Sequence, residues 1–275
     1  MKEFLLKRYP HQRRRLPRSL TVRGNLYSDD ERELWHQHEH GHLIMAATGI
    51  VRVLTPNRTW TLPPSRGLWL PPNVDHELHA LGRLNLYTVN VESDAASWLW
   101  KTARVLPVEP LLRELIVSML PDGQSYEPGS RTALAVPLLL KMMEEAPSLG
   151  EGGLPLPRDQ RLLAICEHMM TDPATDHTLD RWADEIGTSS RTLARHFKEE
   201  TDMSFGHWRQ HMRAAEAMSR LALGASVAEV ALDLGYSTPS AFTVMFRRLL
   251  GASPQQYLSA KLPVHASMDL TEDGR

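Results

Sequence analysis

Two short basic clusters near the C-terminal end of the chain could bind nucleic acid. Arg191, Arg195 and Lys198 form the first cluster, and Arg247 and Arg248 form the second. A guanidinium group can donate two hydrogen bonds to the major-groove edge of guanine, and either basic side chain can pair with a DNA phosphate. Because adjacent arginines are usually just solvated surface, a DNA contact requires that both clusters lie on suitably spaced helices.

A repeated pattern surrounds both clusters and predicts those helices. Four positions recur 48 residues later with similar residue types: Leu179, Ala183, Ile186 and Gly187 match Val227, Ala231, Leu234 and Gly235. The small alanine lets a second helix cross closely, and the glycine can adopt the left-handed backbone that a tight turn needs. The pattern predicts two helix-turn-helix units, joined by a helix over residues 205–223.

A series of short motifs resembles the AraC/XylS family of transcription regulators over about 100 residues: Gly235-Tyr236, Ser240-Ala241-Phe242, Phe246-Arg247-Arg248 and Gly251-Ala252-Ser253-Pro254. The resemblance implies that the joining helix, on the order of 25–30 Å long, sets the two second helices in successive major grooves of double-stranded DNA, about 34 Å apart. The implied DNA contacts are Arg191, Thr192, Ala194, Arg195, Lys198, Ser240, Ala241, Thr243, Val244, Arg247 and Arg248. Arg195 is the strongest single candidate for contacting a base, and the second unit has no long polar side chain for that task.

The first third of the chain resembles the cupin barrels over about 60 residues. The first cupin motif runs His-x-His, three residues, Glu, six residues, Gly. His36, His38, His42 and Gly49 hold this spacing, with His42 in place of the glutamate. Short apolar and β-branched runs with frequent turn signals also favour a β-sandwich or barrel in this region.

The second cupin motif is matched only in part. Pro71 and His76 fit it, whereas Asn73 and Ala80 replace the family's Gly and Asn. The resemblance implies a divalent metal, either zinc, nickel, copper or iron, held by the four histidines His36, His38, His42 and His76. Sensor domains fused to this DNA-binding module often bind an organic effector instead, and imidazoles can also be satisfied by hydrogen bonds to polar neighbours.

Other residues of the first domain offer weaker signals. His40 and His79 are expected at the surface, and Trp35, Trp60, Trp69 and Tyr87 are expected either in a pocket or in the core. A metal-dependent cupin enzyme, such as an oxygenase or isomerase, is the alternative function. The sequence shows no set of carboxylates for acid–base catalysis, which favours a regulator that is not an enzyme.

Composition limits the possible classes of protein. The chain has 275 residues, 31 Lys plus Arg, 33 Asp plus Glu, 42% hydrophobic residues and one Cys. These values predict soluble domains without an internal disulfide, and the absence of a long apolar run predicts a cytoplasmic location and no membrane partner. Between residues 158 and 260 acidic residues slightly outnumber basic ones, so DNA affinity depends on the local clusters.

The expected organisation is a two-domain protein, with an N-terminal cupin-like β-barrel and a C-terminal all-α domain. We expect a sensor domain at 1–100, connecting helices at 101–147, a linker at 148–157, the DNA-binding domain at 158–260 and a disordered tail at 261–275. The connecting helices resemble a dimerisation segment and predict a homodimer, although their leucines could simply pack on the sheet. The expected partners are promoter DNA, a small-molecule or metal effector and, for an activator, RNA polymerase.

Overall fold

The computed structural model describes residues 16–96, 98–122, 125–147, 152–251 and 253–259. Within them the strands are β1 (Leu20–Tyr27), β2 (Arg32–His36), β3 (Gly41–Thr55), β4 (Arg58–Leu62), β5 (Arg66–Leu70), β6 (His76–Val91), β7 (Arg104–Pro107) and β8 (Leu154–Pro155). The helices are α1 (Pro110–Met119), α2 (Arg131–Glu145), α3 (Gln160–Thr171), α4 (Leu179–Glu185), α5 (Ser190–Thr201), α6 (Phe205–Ala222), α7 (Val227–Asp233), α8 (Pro239–Leu250) and α9 (Pro254–Ser259).

The N-terminal domain is an antiparallel sheet built around two long strands, β3 and β6. One half of β6 pairs with β2 and the other half with β1, while β3 pairs with β6 along most of its length. The first half of β3 also pairs with β5, and its second half pairs with β4. Each long strand thus changes its outer neighbour partway along.

The sheet confirms the β-rich domain that the sequence predicts, but it does not close into a barrel among the described residues. The strands at the two ends of the longest path through the sheet, β1 and β8, do not pair with each other in this part of the chain. Gly49 and Gly82 both have φ +78°, and the β3–β6 register shifts beside Gly49. Gly49 therefore lies at an irregularity inside β3, and β6 continues through Gly82.

Alternation along the strands separates two apolar layers. Leu43 and Met45 face the layer covered by α1 and α2, whereas Ile44 and Ala46 belong to the opposite cluster. His42 has the same parity as Ile44, and His76 has the same parity as Leu78. Because side chains alternate between the faces of a strand, both histidines are directed to the face opposite the helices.

The C-terminal domain contains the two predicted helix-turn-helix units, α4–α5 and α7–α8. Gly187 and Gly235 lie in their turns with φ +69° and +74°. Ser189 and Thr238 cap α5 and α8 by accepting backbone N–H groups through their hydroxyl oxygens. These caps satisfy otherwise unpaired donors at the starts of both helices.

Helix α6 connects the cores of the two units. Trp208 and Met212, in its first half, pack with Phe197 of α5. Ala217 and Leu221, in its second half, pack with Phe242 of α8. With 18 residues, α6 spans about 27 Å at 1.5 Å per residue, so it fixes the separation of the two units.

The end of the predicted linker is attached to both domains. Leu154–Pro155 pair with β4, so the prediction that this segment forms neither helix nor strand is wrong at these two residues. Leu154 is buried in the core of the first helix-turn-helix unit, and Trp208 Nε1 donates a hydrogen bond of 2.6 Å to the Pro155 carbonyl. Residues 148–151 and the predicted tail, 261–275, lie outside the described residues.

Helices α1 and α2 cover one face of the sheet and also expose leucines. Leu112 and Leu139 are buried in the core, whereas Leu111 and Leu134 are 59% and 71% exposed. The packing alternative is therefore confirmed for the inner face, and the outer face remains available for the predicted dimer.

Candidate functional site

A polar cavity of about 330 Å³ opens on the face of the N-terminal sheet that lies opposite α1 and α2. All four histidines implied by the cupin resemblance line it. His36 ends β2 and lies directly opposite His76 at the start of β6. His38 lies between β2 and β3, and His42 is on β3. The ends of three strands thus converge on one site.

The imidazoles lie close together. The ring centroids of His36 and His76 are 4.2 Å apart, and those of His36 and His38 are 4.9 Å apart. One nitrogen from each of these three rings lies within 4.8 Å of the corresponding nitrogens of the other two. His42 adjoins this trio, with its ring centroid 4.8 Å from that of His76.

Backbone hydrogen bonds orient two of the rings. His36 Nδ1 lies 2.7 Å from the Leu34 carbonyl oxygen, and His76 Nδ1 lies 2.8 Å from that of Val74. A carbonyl oxygen only accepts, so both Nδ1 atoms must carry the proton. In each neutral ring Nε2 therefore keeps its lone pair.

Burial favours the uncharged form of three of these histidines, His38, His42 and His76. Desolvation and then the neighbouring histidines lower the pKa of His38 to about 3. The same effects lower the pKa of His76 to about 4, with desolvation the largest cause, and hold that of His42 well below its usual value. Neutral imidazoles can accept hydrogen bonds from an organic ligand or coordinate a metal.

Two sequence expectations about histidines are wrong. His40 lines the cavity and stacks on His38 with a centroid distance of 4.9 Å. His79 is buried, and its Nε2 lies 2.5 Å from an Asp30 carboxylate oxygen. The period-two spacing of residues 36, 38, 40 and 42 was the available signal for His40. Trp60 and Trp69 are core residues.

The first candidate DNA-contacting surface is the outer side of α5. Leu193 and Phe197 face the core, whereas the predicted contacts Arg191, Thr192, Arg195 and Lys198 are exposed and Ala194 is half-buried. Arg195 Nη1 is 2.7 Å from Glu199 Oε1. Exposed pairs of this kind contribute only about 0.2–1 kcal/mol, so the guanidinium can exchange the carboxylate for a base edge.

The second candidate surface is the outer side of α8. Among the predicted contacts, Ser240, Ala241, Val244, Arg247 and Arg248 are exposed, and Thr243 is half-buried. Arg248 donates a 2.5 Å hydrogen bond to Gln210 Oε1 on α6. Sequence reasoning missed Gln210, because only the folded arrangement brings α6 beside α8.

The sensor domain contacts α6 directly. Arg52, on β3, donates a 2.9 Å hydrogen bond to Glu216 Oε2, and Glu216 Oε1 accepts one of 3.0 Å from Arg220. Arg220 also lies 2.9 Å from Asp233 of α7. Beside this network, Leu223 packs so closely on Gly82 that an added Cβ would lie 2.0 Å from it. The strand that carries His42 is therefore linked to the helix that spaces the two units.

Comparison with known proteins identifies what these domains are. Residues 25–172 match the AraC-like ligand binding domain, and residues 182–260 match a helix-turn-helix domain. The protein thus combines a ligand-binding domain with a helix-turn-helix DNA-binding domain, as ligand-responsive transcription regulators do. The chain belongs to the AraC family of transcription regulators.

The chain is similar to the following individual proteins. The chain is 32% identical to the HTH-type transcriptional regulator NimR of Escherichia coli strain K12 over 228 residues, which is 82% of this chain and 81% of NimR. It is 34% identical to the HTH-type transcriptional regulator RipA of Corynebacterium glutamicum over 108 residues, 39% of this chain and 33% of RipA. The crystal structure of ToxT from Vibrio cholerae O395 aligns at 15% identity over 88% of this chain and 97% of ToxT, with a TM-score of 0.38.

Proposed function

We propose that this regulator binds a specific double-stranded operator by placing α5 and α8 in successive major grooves. The observation that carries this proposal is that both helix-turn-helix cores are built on the single helix α6. A rigid spacer of about 27 Å is comparable in length with the distance of about 34 Å between successive major grooves.

The two units read DNA differently. In α5, Arg191 and Arg195 contact guanines, and Lys198 contacts a phosphate. In α8, Ala241 and Val244 contact thymine methyl groups, while Arg247 and Arg248 anchor the backbone. Val244 is 70% exposed. Such exposure of an apolar side chain supports a contact that forms only in the complex with DNA.

The histidine-lined cavity takes the effector. Helix α6 contacts the sheet through the hydrogen bond between Arg52 and Glu216. A change at the cavity that moves β3 therefore also moves α6, the helix that sets the distance between the recognition helices. The protein acts as a regulator rather than as an enzyme, in the cytoplasm, and binds RNA polymerase if it activates.

The exposed outer face of α1 and α2 joins two copies into a homodimer. Leu111, Leu134 and Leu138 are 59%, 71% and 48% exposed on this face, so pairing two copies would remove a row of leucines from water. Sedimentation at micromolar concentration tests the pairing, and a strictly monomeric protein would contradict it.

Selection of DNA from a random duplex pool tests the main proposal. The full chain should enrich one bipartite sequence whose two blocks are centred about 10–10.5 base pairs apart. Enrichment of a single short block, or of no sequence at all, would contradict two-groove binding.

A further inference from the structure

Two of the four imidazoles that converge on the cavity have a buried nitrogen without a hydrogen-bond partner among the described residues. His42 is only 3% exposed, and its Nδ1 has no hydrogen-bond partner among the described residues. His38 Nδ1 is likewise buried and unpartnered in the described part of the chain. Burying unsatisfied polar atoms costs free energy unless a ligand pairs with them.

We propose that His36, His38 and His76 bind one divalent transition-metal ion, that His42 completes the coordination, and that this ion is the regulator's effector. The effector role rests on the proposed function, whereas the ion-binding role does not. His36 and His76 are oriented as metal ligands, because each donates Nδ1–H to a backbone carbonyl, which leaves Nε2 as the nitrogen that can bind an ion. Ligating histidines typically fix their orientation by such a hydrogen bond.

The donor set selects the class of ion. Imidazole nitrogens suit zinc, nickel, copper and iron, whereas magnesium and calcium require oxygen ligands. Metal–nitrogen bonds of about 2.0–2.1 Å require the three nitrogens, now within 4.8 Å of one another, to close by on the order of 1 Å. Glu33 also lines the cavity, but its carboxylate lies 3.7 Å from His36 Nε2.

Closure around an ion would act on the DNA-binding domain. The ligands come from β2, the segment after it, β3 and β6, so the ion would tie three strands together. Strand β3 carries His42 near one end and Arg52 near the other, and Arg52 holds Glu216 of α6. A movement of β3 toward the ion would therefore be transmitted through Arg52 and Glu216 to α6.

Metal titration of the full chain, without a purification tag, tests the proposal. His207 and His211 form an exposed pair on α6, with Nε2 atoms 2.9 Å apart, that could chelate metal nonspecifically. The experiment therefore uses the His207→Ala/His211→Ala background. After chelator treatment, Zn²⁺ and Ni²⁺ are titrated by calorimetry, and Cu²⁺-loaded protein is examined by electron paramagnetic resonance.

We expect one ion per chain with a dissociation constant of about micromolar or below, and nitrogen hyperfine splitting in the Cu²⁺ spectrum. His38→Gln and His76→Gln should each weaken metal binding by about tenfold to hundredfold. The control is His168→Gln, at an exposed position of α3, which should leave the metal affinity unchanged. Less than half an equivalent, unaltered binding in both cavity variants, or purely oxygen coordination of copper would overturn the metal site. The spectrum needs no cavity variant, so misfolding of the variants does not affect it.

Operator affinity then tests the effector role. One equivalent of Zn²⁺ should change the affinity for the selected DNA by about fivefold or more. An unchanged affinity would overturn the effector role. If the ion binds but no DNA sequence is ever selected, the proposed function fails while the metal site stands.

Replacing Arg52 with alanine should separate metal binding from the change in operator affinity that the metal causes. We expect Zn²⁺ affinity to stay within about twofold of the parent protein, while the Zn²⁺-dependent change in operator affinity falls toward none. Lys141→Ala, which removes an exposed ion pair with Glu144 and Glu145 on α2, is the matched control and should keep the full response. A full response in Arg52→Ala would show that the ion acts by another route.

Discussion

Replacing Arg195 with alanine is expected to weaken binding to the selected operator by about tenfold to hundredfold. Arg195 is exposed on α5 and forms an ion pair with Glu199 on the same helix, so its loss should leave the core intact. A bidentate contact between arginine and guanine is worth about 1–3 kcal/mol of discrimination. Fluorescence anisotropy with the selected duplex measures the change.

The control removes the same charge from the same domain. Arg161 is exposed at the start of α3, outside both recognition helices, and pairs with Asp159. The effect of Arg161→Ala on operator affinity should be about twofold or less, since only the general electrostatic attraction changes. Equal losses in both variants would mean that Arg195 contributes charge and does not contact a base.

Replacing Phe242 with alanine is expected to unfold the second helix-turn-helix unit locally. Phe242 is fully buried on the inner side of α8, with its ring centroid 5.7 Å from Tyr236 and 5.6 Å from Phe246. Truncating a buried phenylalanine typically costs about 3–5 kcal/mol. Because this core is separate from that of the first unit, amide exchange should accelerate about a hundredfold or more across 227–250 only.

Hydrogen exchange read by mass spectrometry resolves the two units. Amides of α5 and of β3 should keep their parent exchange rates in Phe242→Ala. Val244→Ala, at a 70% exposed position of the same helix, should change the free energy of unfolding by about 0.5 kcal/mol or less. Acceleration throughout the C-terminal domain in Phe242→Ala would show that the two cores unfold as one.

Local signals made the helical half of the protein predictable. The repeated alanine and glycine, the Ser and Thr caps and the apolar period all act within a few residues. The helix predicted over residues 205–223 is accordingly observed at Phe205–Ala222. The resemblance to a known family also depends on these local motifs. Trp208 and Phe205 belong to the core of this half.

The sheet was less predictable because its form depends on distant pairings. The long strand β3 continues past the irregularity at Gly49 because β6 pairs with both sides of it. His79 reads as a surface residue because its partner, Asp30, is far away in the chain. The contact between Arg52 and Glu216 joins two domains, and no local pattern signals it.

Hydroxyl-radical footprinting on the selected operator tests the central claim most directly. If α6 sets α5 and α8 in successive major grooves, one protomer should protect two backbone patches on the same side of the duplex, about one helical turn apart. Arg195→Ala should weaken the patch under the first unit, and Phe242→Ala should remove only the other. A single protected patch, or two patches on opposite sides of the duplex, would contradict the account.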